Sequence, residues 1–252
     1  MSKIIIQESI TNYWEERADS YSENIRDDMN SFKKEAWKRI IKNQAGEDVS
    51  HALDMGAGPG FFSIIMAELG FNVTVVDCAE KMVQEAENNL RVAGYSADFR
   101  VADCHCLPFE DKTFDLIICR NLVWTLVEPV KAYQEWHRLL KDSGKLVIVD
   151  ANWFLRLHDD LLQKKYEEQQ KKAMQKGYIE KDVSPEKKKE CREIAEKLPL
   201  TYHKRPEWDE QALYWCGFRE ISVQDDISPE VYDERQKSLY GYIPLFLICA
   251  EK

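Results

Sequence analysis

Between residues 51 and 150 the chain alternates short apolar runs with longer stretches whose apolar positions recur at helical spacing. Ala52 to Met55 reads as a short buried strand, Pro59 to Leu69 as a helix and Asn72 to Val76 as a second strand. Ala79 to Ala93 reads as the next helix, with Gly94 as its stop. Ala97 to Val101 and Phe114 to Cys119 add two strands, Pro129 to Leu140 a helix, and Lys145 to Val149 a fifth strand after Asp142-Ser143-Gly144. Strands separated by helices of this length pair in parallel through right-handed crossovers. The expected fold is therefore α/β, an open doubly wound sheet with its ligands at the carboxyl ends of the strands.

The alternation stops after residue 152. About seventy residues rich in Lys, Glu and Gln, interrupted at Pro185 and Pro199, precede the next strand, Arg219 to Val223. Trp208 to Cys216 reads as a helix packed on the sheet and ended by Gly217, and Tyr242 to Ala250 is apolar enough for a buried final strand. Three regions follow: an N-terminal helical segment over 1–45, a Rossmann-like core over 46–152 and 206–252, and a helical cap over 153–205 inserted above the active edge of the sheet.

Composition narrows the function. A chain of 252 residues with 44% hydrophobic residues buries a full core. Its net charge of -10 argues against a broad electrostatic footprint for nucleic acid and makes a small molecule the default partner. The run Lys187-Lys188-Lys189 sits among Glu186, Glu190 and Glu193 and reads as a solvated helical face. Neither the isoleucines near the N-terminus nor Tyr242 to Ala250 is long enough for a signal peptide or a membrane span. Seven scattered cysteines, an odd number, read as reduced thiols of a cytoplasmic protein.

The chemistry concentrates in Leu53-Asp54-Met55-Gly56-Ala57-Gly58-Pro59-Gly60 and in Asp77, which ends the second strand. Gly56 and Gly58 let the backbone turn tightly and approach a ligand. Asp77 can accept both hydroxyls of a ribose. Strand, glycine turn, helix and carboxylate-ended strand are the arrangement that holds an adenosine-containing cofactor, although nicotinamide enzymes share it.

Further residues separate these cofactors. Asp54-x-Gly56-x-Gly58-x-Gly60, Asp77, Ala102-Asp103-Cys104, and Leu107-Pro108-Phe109 leading into Phe114-Asp115-Leu116-Ile117-Ile118 together resemble the class I S-adenosylmethionine-dependent methyltransferases, in their small-molecule and ubiquinone-biosynthesis-like branch. The resemblance covers about residues 50 to 150. It implies a seven-stranded sheet with an antiparallel last strand, S-adenosyl-L-methionine as cofactor, S-adenosyl-L-homocysteine as product, and methyl transfer to N, O, S or C of a small acceptor. The alternatives are an RNA-modifying methyltransferase, a non-catalytic S-adenosylmethionine-binding protein and an NAD-dependent oxidoreductase.

Carried over by position, the resemblance implies that Gly56, Ala57 and Gly58 meet the methionine part of the cofactor and that Asp54 orients its amino group. Asp77 would take the ribose, Asp103 the adenine amino group, and the Cys104 amide an adenine ring nitrogen. Arg120 and Asn121 would contact the methionyl group. Cys78, Met82 and Tyr21, the last on an entry helix, complete the cofactor set. Tyr13, Trp124, Asn152 and Trp153 are expected in the substrate pocket, and Tyr13, Tyr21, His158 and His203 are candidate bases, none assigned. Trp153, Phe154, Tyr166, Tyr178, Tyr202, Trp208 and Tyr214 are read either as a cation-binding cage for an amine or as the core of the cap. Cys104-His105-Cys106 lacks a second ligand pair at zinc spacing, so no metal is expected.

Overall fold

A computed structural model describes residues 2–178 and 183–252; residues 179–182, inside the expected cap, and residue 1 lie outside the described residues. In chain order the elements are α1 (Lys3–Met29), α2 (Phe32–Ala45), β1 (His51–Met55), α3 (Phe61–Glu68), β2 (Asn72–Asp77), α4 (Glu80–Val92), β3 (Asp98–Val101), β4 (Phe114–Arg120), α5 (Pro129–Leu139) and β5 (Leu140–Ala151). They continue with α6 (Asp160–Gln175), α7 (Pro185–Ala195), α8 (Glu207–Trp215), β6 (Arg219–Gln224), α9 (Ser228–Val231), α10 (Glu234–Tyr240) and β7 (Leu245–Glu251). The seven strands form one sheet in the order β3-β2-β1-β4-β5-β7-β6. All neighbours pair in parallel except β7, which runs antiparallel to both β5 and β6.

The expected seven-stranded sheet with an antiparallel last strand is therefore observed, and the boundaries shift for identifiable reasons. Helix α3 begins at Phe61 rather than Pro59, because Gly56, Gly58 and Gly60 all hold positive φ and keep residues 56–60 in a turn. Strand β5 begins at Leu140: Leu140 already pairs with Phe114, and Asp142-Ser143-Gly144 forms an irregularity inside the strand, with Ser143 at φ 61°. The strands β1, β4 and β5 are buried almost throughout, as parallel strands covered on both faces must be. One face packs on α2, α3 and α4 through Trp37, Ile41, Phe62 and Ile65; the other packs on α5 and α8 through Tyr133, Trp136, Leu139 and Leu213.

Two regions outside the sheet shape what lies at its carboxyl edge. The described residues of the 153–205 segment fold as α6, α7 and two 3-10 turns. Helix α7 meets α1, where Ile194 and Leu198 pack with Ile10 and Tyr13. Helix α6 meets α10, where Gln169 donates to the carbonyls of Lys237 and Ser238, and Gln170 to that of Leu239. The connection between β6 and β7 is helical as well. Asp233 and Gln236 form a reciprocal capping box that starts α10. No helix among the described residues is long and apolar enough to cross a membrane.

Candidate functional site

The sheet turns in opposite directions on either side of β1 and β4, and the crevice opens where those two strands end. The glycine turn after β1, the end of β2, the loop after β3 and residues 120–122 after β4 converge there. Tyr21, Asp54, Gly56, Ala57, Gly58, Asp77, Cys78, Met82, Asp103, Cys104, Arg120 and Asn121 all line this single cavity. Helix α1 lies across it, contributing Ile10, Trp14, Tyr21 and Ile25. The free space is narrow, about 80 Å³. A nucleoside needs α1 to stand further out.

The glycines have different tasks. A Cβ on Gly56, at φ 62°, would lie 2.6 Å from Cδ1 of Leu122, so its bareness clears a neighbour rather than a ligand. A Cβ on Gly58 would enter the cavity, 3.6 Å from the Tyr21 ring. Asn89 fixes the turn from behind: its amide donates to the Pro59 carbonyl at 3.0 Å and to Ser22 Oγ of α1 at 2.9 Å. The same side chain thus ties the turn, α4 and α1 together.

Asp77 is buried, and its two oxygens accept from Gly58 N at 2.9 Å and Ala79 N at 3.0 Å. Burial raises its pKa while the amide hydrogen bonds oppose that rise. Each oxygen keeps a lone pair for a further donor. Asp54 is 2% exposed and accepts from Ser63 Oγ at 2.5 Å. Burial pushes it up to about 7, against the pull of that hydroxyl and of the Arg120 charge. Asp103 uses Oδ1 on its own loop, accepting from His105 N at 2.9 Å and meeting His105 Nδ1 at 2.5 Å. The bond to His105 holds its pKa below the usual carboxylate range. Since His105 Nε2 accepts from Glu128 N at 3.3 Å, the imidazole proton sits on Nδ1. Asp103, Cys104 and His105 bring three ligand-type atoms within 4.8 Å. The Asp103–His105 hydrogen bond accounts for the closest of these approaches.

A second cavity of about 450 Å³ adjoins the first and shares Tyr21, Ile25, Arg120 and Asn121 with it. Its other walls are Lys33 and Trp37 of α2, Trp153 after β5, and Val231, Tyr232, Asp233, Leu239 and Tyr240 between β6 and β7. Of the expected substrate residues, Trp153 lines it. Tyr13 is instead buried against α7, Trp124 stacks on Phe154 at 5.0 Å, and Asn152 is bound on both sides to the backbone of Arg205. Of the candidate bases, Tyr21 lies at the junction of the two cavities. His158 stacks on Tyr202 and His203 on Trp208, and neither lines a cavity among the described residues. Six of the seven aromatics read as a cage or a cap core have separate surroundings: Trp153 meets Tyr240, Phe154 meets Trp124, Tyr166 meets Tyr242, Tyr202 meets His158, Trp208 meets Tyr133, and Tyr214 is exposed. The walls from α2 and from residues 231–240 escape a reading of the sequence, although the Asp233-x-x-Gln236 box marks a helix start there.

Fold and crevice together define a doubly wound domain for an adenosine-containing ligand. Residues 53–148 match the family described as methyltransferase domain. A ubiquinone biosynthesis O-methyltransferase of Coxiella burnetii is 28% identical over 114 residues, 45% of this chain and 49% of that protein. A demethylmenaquinone methyltransferase of Clavibacter sepedonicus is 34% identical over 116 residues, 46% of this chain and 45% of that protein. The chain thus spans about half the length of the relatives it matches. Across nearly its whole length it shares its fold with the PH0226 protein of Pyrococcus horikoshii, at a TM-score of 0.60 and 20% identity, covering 93% of this chain and 94% of that one. The matched part of the core, residues 53–148, is thus similar to methyltransferase domains, and the fold around it is that of PH0226.

Proposed function

We propose that this chain transfers a methyl group from S-adenosyl-L-methionine to a small molecule, with the cofactor in the first cavity and the acceptor in the second. The observation that carries the reading is the junction: Tyr21, Arg120 and Asn121 line both cavities, so two ligands would meet there. The residues present suit the cofactor. Asn121 holds a buried Oδ1 with no protein partner, an acceptor for an ammonium or hydroxyl donor, and Gly58 leaves open the space a Cβ would fill. Asp77 would hold the ribose, Asp103 and the Cys104 amide the adenine, and Asp54 with Asn121 the amino end. Cys78 and Met82 would pack beside the ribose.

When bound, the cofactor supplies an electrophilic methyl group on a sulfonium. The chain's own part is to align the acceptor, exclude water and stabilise the change of charge. Helix α1 excludes water by crossing the first cavity, with Trp14 packed on Ala18, Ala79 and Met82. Tyr21 is the candidate base placed to meet an acceptor, and a base is needed only for an acceptor that arrives protonated. Seven free cysteines support a reducing, cytoplasmic setting.

Calorimetric titration with S-adenosylmethionine, S-adenosylhomocysteine and NADH tests the reading. The two sulfur compounds are expected to bind wild type and to lose at least about tenfold in affinity with Asp77→Ala, the scale of one hydrogen bond to a charged group. Binding of NADH alone would overturn it.

A further inference from the structure

We infer that the acceptor is an aromatic carboxylate and that Arg120 is the side chain that receives its charge, an inference that rests on the methyltransferase reading above. Arg120 ends β4 at the junction of the two cavities. Its guanidinium carbon lies 4.7 Å from the Phe61 ring centroid, 5.0 Å from that of Phe62 and 5.6 Å from that of Trp37. Three rings thus hold the cation in place. Among the described residues it makes no ion pair and no hydrogen bond, in contrast to every other cation of the cavity. Lys33 pairs with Asp28 at 2.6 Å and Asp233 at 2.8 Å, and Arg235 is engaged as well.

The neighbouring acids do not neutralise Arg120. Asp54 feels its charge but shares no hydrogen bond with it, and the Asp54 oxygen Oδ2 is taken by Ser63. Asp27 stands exposed on the rim, where water screens it. A guanidinium so placed offers N–H donors in a planar fork that a carboxylate matches with two hydrogen bonds. The body of the ligand follows from the walls. Trp37, Trp153, Tyr232 and Tyr240 present ring surfaces, with Trp153 and Tyr240 edge to face at 5.8 Å. Flat apolar walls around one cation suit an aromatic anion. A cationic amine would instead meet the like charge of Arg120, which already occupies the Trp37 ring.

The test uses the full chain saturated with S-adenosylhomocysteine and titrated with benzoate or its neutral counterpart benzamide. Wild type should bind benzoate at least about tenfold more tightly than benzamide, the scale of one charge-assisted contact. Arg120→Met, held saturated with S-adenosylhomocysteine at the concentration its own affinity requires, should remove that preference, and Arg120→Lys should keep part of it. Equal binding of the two probes, or binding of neither, overturns the inference. So does a tenfold loss of S-adenosylhomocysteine affinity in Arg120→Met with unchanged affinity for methylthioadenosine, which lacks the amino-acid end; Arg120 would then serve the cofactor's own carboxylate. If Arg120→Met fails to fold by circular dichroism, the wild-type ratio and Arg120→Lys decide. A wild type that binds no S-adenosylhomocysteine overturns the methyltransferase reading itself, a result distinct from these.

Discussion

Cofactor affinity should depend on pH through Asp54. This carboxyl ends β1 inside the first cavity, and burial lifts it to about 7 despite the Ser63 hydroxyl at 2.5 Å and the nearby Arg120 charge. Without ligand it is therefore about one-tenth ionised at pH 6 and nine-tenths ionised at pH 8. If the amino end of the cofactor binds only the carboxylate, apparent affinity scales with that fraction. S-adenosylhomocysteine should bind about tenfold more tightly at pH 8 than at pH 6, a gain of about 1.4 kcal/mol. The sign for stability is opposite. A folded pKa raised from 3.8 to about 7 contributes stability that is complete below 3.8 and is lost as the pH rises through 7, so the ligand-free protein should be less stable at pH 8. Calorimetric titration across pH 5.5 to 8.5, with thermal melts at the same points, reads both. Asp54→Asn should flatten most of the binding profile, and Ser63→Ala should move its midpoint upward by removing the hydroxyl that favours the charged form. An unchanged profile in Asp54→Asn would refute the reasoning, because the titrating group would then lie elsewhere.

Three further outcomes follow from packing. Arg205 is 2% exposed and binds Asp150 at 2.8 Å and Asp209 at 2.7 Å, so Arg205→Met should cost about 3–5 kcal/mol and lower Tm by roughly 10 °C. Burial already raises the Asp209 pKa, so the loss should be larger at pH 8 than at pH 5; a change below about 1 kcal/mol in a urea titration would contradict the burial argument. Gly56→Ala places a methyl 2.6 Å from Leu122 at positive φ and should destabilise by about 1–3 kcal/mol, with Leu122→Ala recovering part of the loss in a double-mutant cycle. Trp14→Ala removes contacts that hold α1 across the first cavity. It should speed both association and dissociation of S-adenosylhomocysteine in stopped flow, and unchanged rates would mean that α1 does not limit entry.

The parallel half of the sheet was readable because its signals are local. A strand such as Phe114–Arg120 is an apolar run bounded by turn residues, and its partners follow from the handedness of the crossovers. The first cavity was readable for the same reason, since its polar floor comes from the ends of consecutive strands. The second cavity was not. Apart from Trp153, its walls come from residues 21–37, 120–121 and 231–245, and no periodicity relates segments so far apart. Arg205 shows the opposite difficulty. In Tyr202-His203-Lys204-Arg205-Pro206 it reads like any solvated loop cation, yet it is almost fully buried between two carboxylates. Asp103 lies between these cases: its hydrogen bond to His105 N two residues on is a local pattern a sequence can suggest.

The buried arginine also explains how residues beyond the matched 53–148 can matter to the cavities. Asp150, at the end of β5, accepts from Arg205 Nη1 and from Trp124 N through Oδ2, and from Ala151 N and Trp153 Nε1 through Oδ1. Trp124 N belongs to the turn that follows Asn121 and Leu122 in the floor of the first cavity, whereas Trp153 forms a wall of the second. One carboxylate therefore sets the position of both. Arg205, anchored by Asp209 on α8, supplies the opposite charge that faces the buried Asp150 carboxyl. Tyr133 of α5 donates to the other Asp209 oxygen at 2.5 Å, extending the network to the helix that backs the sheet. Loss of Arg205 should thus act on the site at two points. It frees Trp153 in the acceptor wall and the Asn121 turn in the cofactor floor, so Arg205→Met should weaken benzoate and S-adenosylhomocysteine together. Arg120→Met, which leaves the Asp150 network intact, should instead lose the preference for benzoate over benzamide, which Arg205→Met should keep.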